Sequence, residues 1–300
     1  MSSEFHAHLI SWSVSLPITC ALATVAVVYM RGWFRLRSDS NLISLWRVAA
    51  FMSGLLFLWI VVGSPLSALD HDSLTIHMIN HLLLMTAVAP LILAGAPGTT
   101  LSRGFPTIFH SGVHAFVVRN RRAQGLGRLL EHPVFCWLCA SATVIGWHLP
   151  AVFQLAMRSH WWHAVEYVSF LLAGLLFWQP VVQPVSGLRE RPRWSTPLYL
   201  FMATLPCDIL SAFLVFCGRV AYPSYLSAPG LFNLSALQDQ QCAGALMWVG
   251  VTFAYLLPAT AITIQILSPA GAYSRQSEQG ASNRLAPPTS STHGSQAEAV

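Results

Sequence analysis

Residues 70–97 read DHDSLTIHMINHLLLMTAVAPLILAGAP. From Leu82 onward the run is apolar enough to sit in lipid. Ahead of it stand three histidines, two aspartates and an asparagine, each of which costs free energy in hydrocarbon unless a partner satisfies it. Whether this is the polar end of a membrane span depends on what the rest of the chain supplies as solvent and as partners.

Of the 300 residues 54% are hydrophobic and 9% charged, against about 25% charged in an ordinary soluble domain. So few charges cannot cover a water-exposed surface, which makes lipid the main solvent. Apolar stretches long enough to cross a bilayer, about 18 residues or more, fall near 9–30, 46–66, 74–97, 133–150, 161–183, 197–217 and 240–266. Backbone groups in hydrocarbon must pair within their own segment, so these are helices. The fold expected is an all-α membrane protein with seven transmembrane helices over residues 1–267. Residues 268–300, rich in Ser, Pro, Gln, Ala and Gly, are expected to form a disordered tail. The leading MSSEFHAH has no positive charge and no small-residue cleavage site follows it, so the first span is read as a retained helix, not a signal peptide.

Arginine sets the expected orientation. The stretch 31–47 holds Arg31, Arg35, Arg37 and Arg47, and 98–132 holds Arg103, Arg119, Arg121, Arg122 and Arg128. Arg189, Arg191 and Arg193 lie in 184–196, and Arg275 and Arg284 in the tail. Only Arg158 and Arg219 fall on the other side. The positive-inside rule then puts the N-terminus outside and the C-terminus in the cytoplasm. The basic pI of 9.1 reflects this asymmetry and implies a bilayer partner, not a nucleic acid.

With that orientation His6, His8, His71, His77, His81, His148, His160 and His163 collect at or near the outer face. His110, His114 and His132 belong to the inner loop and His293 to the tail. His77 and His81 are four apart and share a helix face with Asn80. Met78, His81 and Met85 form an adjacent stripe. His148 ends the fourth helix in GWHLP. His163 and Glu166, three apart, share a face near the start of the fifth. At 1.5 Å per residue His81 lies roughly 10 Å and Glu166 roughly 5–8 Å below the outer helix ends. If the three helices are neighbours, imidazoles, a carboxylate and thioethers meet at one level.

Two readings compete for this set. The groups can pair with one another, with carbonyls and with trapped water as interhelical glue. Alternatively they hold a metal: neutral imidazole is the commonest metal ligand, and added Met favours Cu(I), a soft ion. Cys136 and Cys139 form a CxxC at the inner end of the fourth helix, better read as two buried helical thiols than as a zinc site. Cys217 and Cys242, toward the outer ends of helices six and seven, suit a disulfide, a Cu(I) site or neither. Asp208, in TLPCDILSAF, falls near mid-membrane and must be protonated, paired or hydrated there.

The strings HMINHLLLMTAVAPLILAGAP, WHLPAVFQLAMRSHWWHAVEYVSFLLAGLLFWQPV and YPSYLSAPGLFNLSALQDQQCAGALMW occur in that order. Together they resemble the polytopic CtaG family of cytochrome c oxidase assembly factors, over roughly residues 45–265. The resemblance implies a non-enzymatic, multi-pass protein of the bacterial inner membrane that helps mature a haem–copper oxidase through copper supply. Its implied partners are oxidase subunits and a periplasmic copper chaperone, with copper as Cu(I) and no haem of its own. His77, His81, His148, His163, Glu166 and Asp239, with Gln240, match family motif positions. In that family a second histidine commonly follows the fifth-helix Glu; here Tyr167 stands there and removes one potential ligand. Other functions compatible with the residues are a metal-free scaffold for oxidase subunits, a copper importer using Asp208, and a b-type haem protein ligated by His81 and His163.

Overall fold

The computed structural model describes residues 15–40, 44–64, 67, 69–104, 125, 127, 129–183, 194–228 and 233–268. His6, His8, His110, His114, His293, the tail and most arginines of the two long loops lie outside the described residues. Among the described residues the regular structure is helical: α1 (Leu16–Ser40), α2 (Leu45–Gly63), α3 (Leu74–Ala94), α4 (Pro97–Gly104), α5 (Pro133–His148), α6 (Pro150–Arg158), α7 (His160–Val182), α8 (Ser195–Phe216) and α9 (Ala236–Leu267). Six of these are long and apolar enough to cross a membrane, or seven if α5 and α6, bent by 75° at their junction, are counted as one span. The chain is a multi-pass membrane protein.

The bend accounts for the short fourth span. Pro150 opens α6, and the residue before a proline is pushed out of the helical region. Leu149 accordingly sits at φ −65°, ψ 127°, so WHLP is a knee at which α5 ends on His148. The first span also differs from its expected limits. It runs to Ser40, so Arg31 and Arg35 ride on α1 and not in a loop. Arg35 donates from Nη1 to the carbonyl of Arg103 at 2.9 Å, tying α1 to α4, a short helix within the stretch read as an inner loop.

The packing places α3 at the centre. It touches α2, α7 and α9, while α5 closes on α7 and α8, and α8 packs along α9. Helices α3, α7, α5, α8 and α9 thereby enclose a ring with one continuous core. Helices α1 and α2 lie beside it over a smaller core built on Tyr29, Trp33 and Phe51. Lipid is the solvent outside: Trp46 and Trp194 begin helices at one end, Trp161 and Trp162 begin α7 at the other, and all four are exposed. Such belts are where amphipathic rings meet the membrane–water interface.

Helix α3 is not a uniform α-helix. Residues Leu84–Val88 form a π turn, with the Ala89 N–H bonded to the Leu84 carbonyl. In that register the Met85 carbonyl would be served by residue 90, a proline with no N–H. Trp178 of α7 fills the vacancy, its Nε1 donating to the Met85 carbonyl at 2.8 Å. Close approach of α7 depends on Gly174, where a Cβ would stand 3.0 Å from both Met85 Cα and Ala89 Cβ. Trp178→Phe keeps an aromatic, if smaller, ring but orphans the buried carbonyl, at a cost of about 1–3 kcal/mol. A lower thermal midpoint in detergent is the expected result.

Candidate metal centre

The first turns of α3 hold the site. His77 and His81 lie one above the other on its face, ring centroids 4.3 Å apart. Glu166 enters from α7 and is completely buried. Its Oε1 lies 3.4 Å from His77 Nε2 and 3.5 Å from His81 Nε2. Neither contact is a hydrogen bond: all four ring nitrogens and both Glu166 oxygens are buried without a hydrogen-bond partner. Two ligands bound to one ion at about 2.0–2.1 Å and near-tetrahedral angle stand about 3.3–3.4 Å apart. The two nitrogen–oxygen separations are compatible with a shared cation, and one ligand atom from each of the three residues lies within 4.8 Å of the others.

A second group overlaps the first. Asp70, His77 and His163 also bring one ligand atom each within 4.8 Å. Asp70 lies in the short 3₁₀ helix Leu69–His71, with Oδ2 3.2 Å from His163 Nε2. Tyr167 holds it, donating to the same Oδ2 at 2.5 Å while accepting from Asn80 Nδ2 at 2.9 Å. Tyr225 donates to the Asp70 carbonyl at 2.8 Å. Tyr167 thus serves as a clamp on a carboxylate.

Burial by itself would raise the Asp70 carboxyl, but the His163 and His77 imidazoles and the Tyr167 hydroxyl outweigh it and hold it below its ordinary value. A depressed carboxylate adds stability above its unfolded value and loses it as pH falls through the folded value. The native protein is therefore expected to lose thermal stability on acidification below about pH 4, and Asp70→Asn to lose less over that window. Melting in detergent at stepped pH measures the difference.

His148, at the knee, belongs to a different set of contacts. Its Nδ1 is 2.7 Å from the Val144 carbonyl, and its Nε2 is 3.2 Å from Met78 Sδ. The imidazoles form a connected series from the half-exposed His71. Ring centroids are 5.0 Å apart for His71 and His163, 5.7 Å for His163 and His77, and 6.3 Å for His81 and His148. Below them a cavity of about 50 Å³ lies within the five-helix ring, lined by Met78, His81, Met85, His148, Cys207 and Met247 among others.

The remaining expected site residues separate from this cluster. Met85 is on the cavity wall, not among the carboxylates. Asp208 belongs to neither ligand group, and its buried Oδ1 has no hydrogen-bond partner. Asp239 serves a helix other than its own, which is capped by Ser235 and Gln238. Its carboxylate crosses to α3 and accepts from Ser73 Oγ (2.9 Å), Leu74 N (2.6 Å), Thr75 Oγ1 (2.6 Å) and Thr75 N (3.3 Å). Gln240 pins the segment after α8, accepting from Ala221 N at 2.7 Å and donating to the Leu214 and Arg219 carbonyls at 3.3 and 3.1 Å. None of the six cysteines is in a disulfide. Asp70 is not among the ligand residues expected from the sequence. Its burial was signalled by neither spacing nor hydropathy, although a DHD beside a histidine-bearing helix was the available hint.

A family model described as cytochrome c oxidase caa3 assembly factor matches residues 27–268. Similar curated proteins include an uncharacterised protein of Mycobacterium bovis, 23% identical over 254 residues, covering 79% of this chain and 36% of that protein. An uncharacterised protein of Mycobacterium leprae is 22% identical over 275 residues, covering 85% of this chain and 39% of its own length. The chain spans little more than a third of those relatives. No solved structure matches it.

Proposed function

The chain belongs to the family of cytochrome c oxidase caa3 assembly factors, and on that premise we propose that it is a non-enzymatic copper carrier for a haem–copper oxidase. It holds copper between Glu166, His77 and His81, at the outer face of a bacterial inner membrane, and passes it to an oxidase subunit. The carrying observation is the buried triad whose nitrogens and oxygens face one another at 3.4–3.5 Å without hydrogen bonds. Copper is the cargo here, and the donor set of two imidazoles and a carboxylate accepts it.

Delivery needs a holding site that lets go. The triad provides three ligand residues and no fourth among the described residues, so an open position remains for an incoming donor. Asp70 and His163 lie on the route between the triad and the half-exposed His71. They offer a second set of oxygen and nitrogen ligands that shares His77 with the first. A cation can therefore change partners one ligand at a time, without passing through an unligated state. A periplasmic copper chaperone as donor and an oxidase subunit as acceptor suit this arrangement, with the N-terminus outside and the C-terminus in the cytoplasm.

The test is His77→Ala with His81→Ala. The doubly substituted protein, purified after copper loading, is expected to lose the bound copper that the native protein retains, and cells carrying it to mature little oxidase. Equal copper content with normal oxidase maturation rejects the site. Lost copper with normal maturation favours a scaffold that binds oxidase subunits without metal.

A further inference from the structure

The contact between His148 and Met78 is chemically unlike the triad. A neutral imidazole carries one N–H, and a carbonyl 2.7 Å from Nδ1 claims it, because two acceptors cannot face each other at that distance. Nε2 is left as a lone pair, and it points at Met78 Sδ 3.2 Å away, also an electron-pair donor. Both side chains are buried, Met78 1% and His148 5% exposed. Two lone pairs thus confront each other with no proton between them. The Val144 carbonyl also orients the imidazole as outer-shell partners orient metal-bound histidines.

We propose that His148 Nε2 and Met78 Sδ form a second cation site, for a soft monovalent d¹⁰ ion of the Cu(I) class. Imidazole with thioether selects that class over the hard and borderline divalent ions. The site opens on the cavity within the five-helix ring, whose wall adds the sulfur-bearing side chains of Met85, Met247 and Cys207. An ion bonded at about 2.0 Å to nitrogen and about 2.3 Å to sulfur at near-tetrahedral angle separates those atoms by about 3.5 Å. A few tenths of an ångström of movement in a flexible methionine side chain accommodates this. The pair adjoins the triad: the His148 ring centroid lies 6.3 Å from that of His81, and Met78 follows His77 directly in the chain. The sulfur-poor triad and the sulfur-bearing pair are therefore neighbours. This deepens the copper-carrier reading, and the two can fail separately.

Ag(I) serves as the probe, added to the full chain in detergent with its eight methionines ¹³C-methyl labelled. The Met78 resonance, identified by its loss in Met78→Leu, is expected to shift with the first equivalents of Ag(I). The shift is expected to vanish in His148→Ala and persist in Glu166→Gln. X-ray absorption of the silver-loaded protein should show both nitrogen and sulfur neighbours, with the sulfur shell reduced in Met78→Leu. A Met78 resonance that does not move in the native protein overturns the site, as does a shift that survives His148→Ala or disappears with Glu166→Gln. If the triad fails to hold copper but the Met78 shift occurs, the soft site stands and the triad site falls.

Discussion

Glu166→Gln is expected to abolish copper retention while leaving the metal-free protein at least as stable as the native one. Both effects follow from the same isolation. The carboxylate is fully buried, and neither oxygen accepts a hydrogen bond. A buried charge without such support is a burden on the fold unless a cation or well-aligned donors balance it. The amide has nearly the same shape and no charge, so the metal-free fold gives up little. As a ligand it is far weaker. Removal of a mere outer-shell partner costs about 10–100-fold in affinity, so loss of this carboxylate should exceed about 100-fold. Metal analysis beside a thermal melt without copper reads both quantities. A variant that keeps its copper rejects the ligand role. One that loses copper and melts several degrees lower shows that Glu166 was holding helices together.

Asp239→Ala should have the larger effect on folding. The first N–H groups of any helix have no partner within it, and α3 meets that need from another helix. One carboxylate of α9 accepts from two backbone amides and two hydroxyls at the start of α3. Bonds to an ionised acceptor are the stronger kind. Truncation leaves Leu74 N and Ser73 Oγ, both on buried residues, without their acceptor. A loss of about 3–5 kcal/mol is expected, the scale for breaking a buried charged network by removing one side. Asp239→Asn, which keeps one acceptor oxygen, should lose about half. Because the cap sits four residues before His77, copper retention should fall with stability in both variants. A melting temperature within a degree of the native one would reject the cap.

Much of this architecture was legible from hydropathy alone, because lipid forces a segment to be both apolar and helical. Six of the seven expected spans follow from that, with the fourth bent at Pro150, and so does the placement of His77, His81, His163 and Glu166 near helix starts. What hydropathy does not encode is which helices touch. The convergence of α3 and α7 depends on side-chain fit at Gly174 and Trp178, and neither has a periodicity that names its partner. Asp239 illustrates the gap: its place in the first turn of a helix does not reveal that its carboxylate caps a different helix. Asp70 sits in a turn, where no pattern distinguishes a solvated carboxylate from a buried one. His148 was placed at the correct helix end, yet its pairing with Met78 needed the knee at Pro150. The resemblance to known oxidase assembly factors supplied the family; the chemistry of the cluster had to come from distances.

The π turn of α3 also separates two alignments that a regular helix would lock together. Successive residues of an α-helix advance by roughly 100°, so one extra residue held in a wide turn resets the angular phase of everything beyond it. Above Leu84–Val88 the helix is phased to aim His77 and His81 at Glu166; below, it is phased to seat Val88, Ala89 and Leu93 in the core. Deleting a single residue between 84 and 88 would restore regular α geometry and swing one half past the other by about that angle. The ligands would leave their carboxylate, or the lower half its core. The turn works as a vernier in the helix, and Trp178, bonded to its unclaimed carbonyl, is the clamp that keeps the setting.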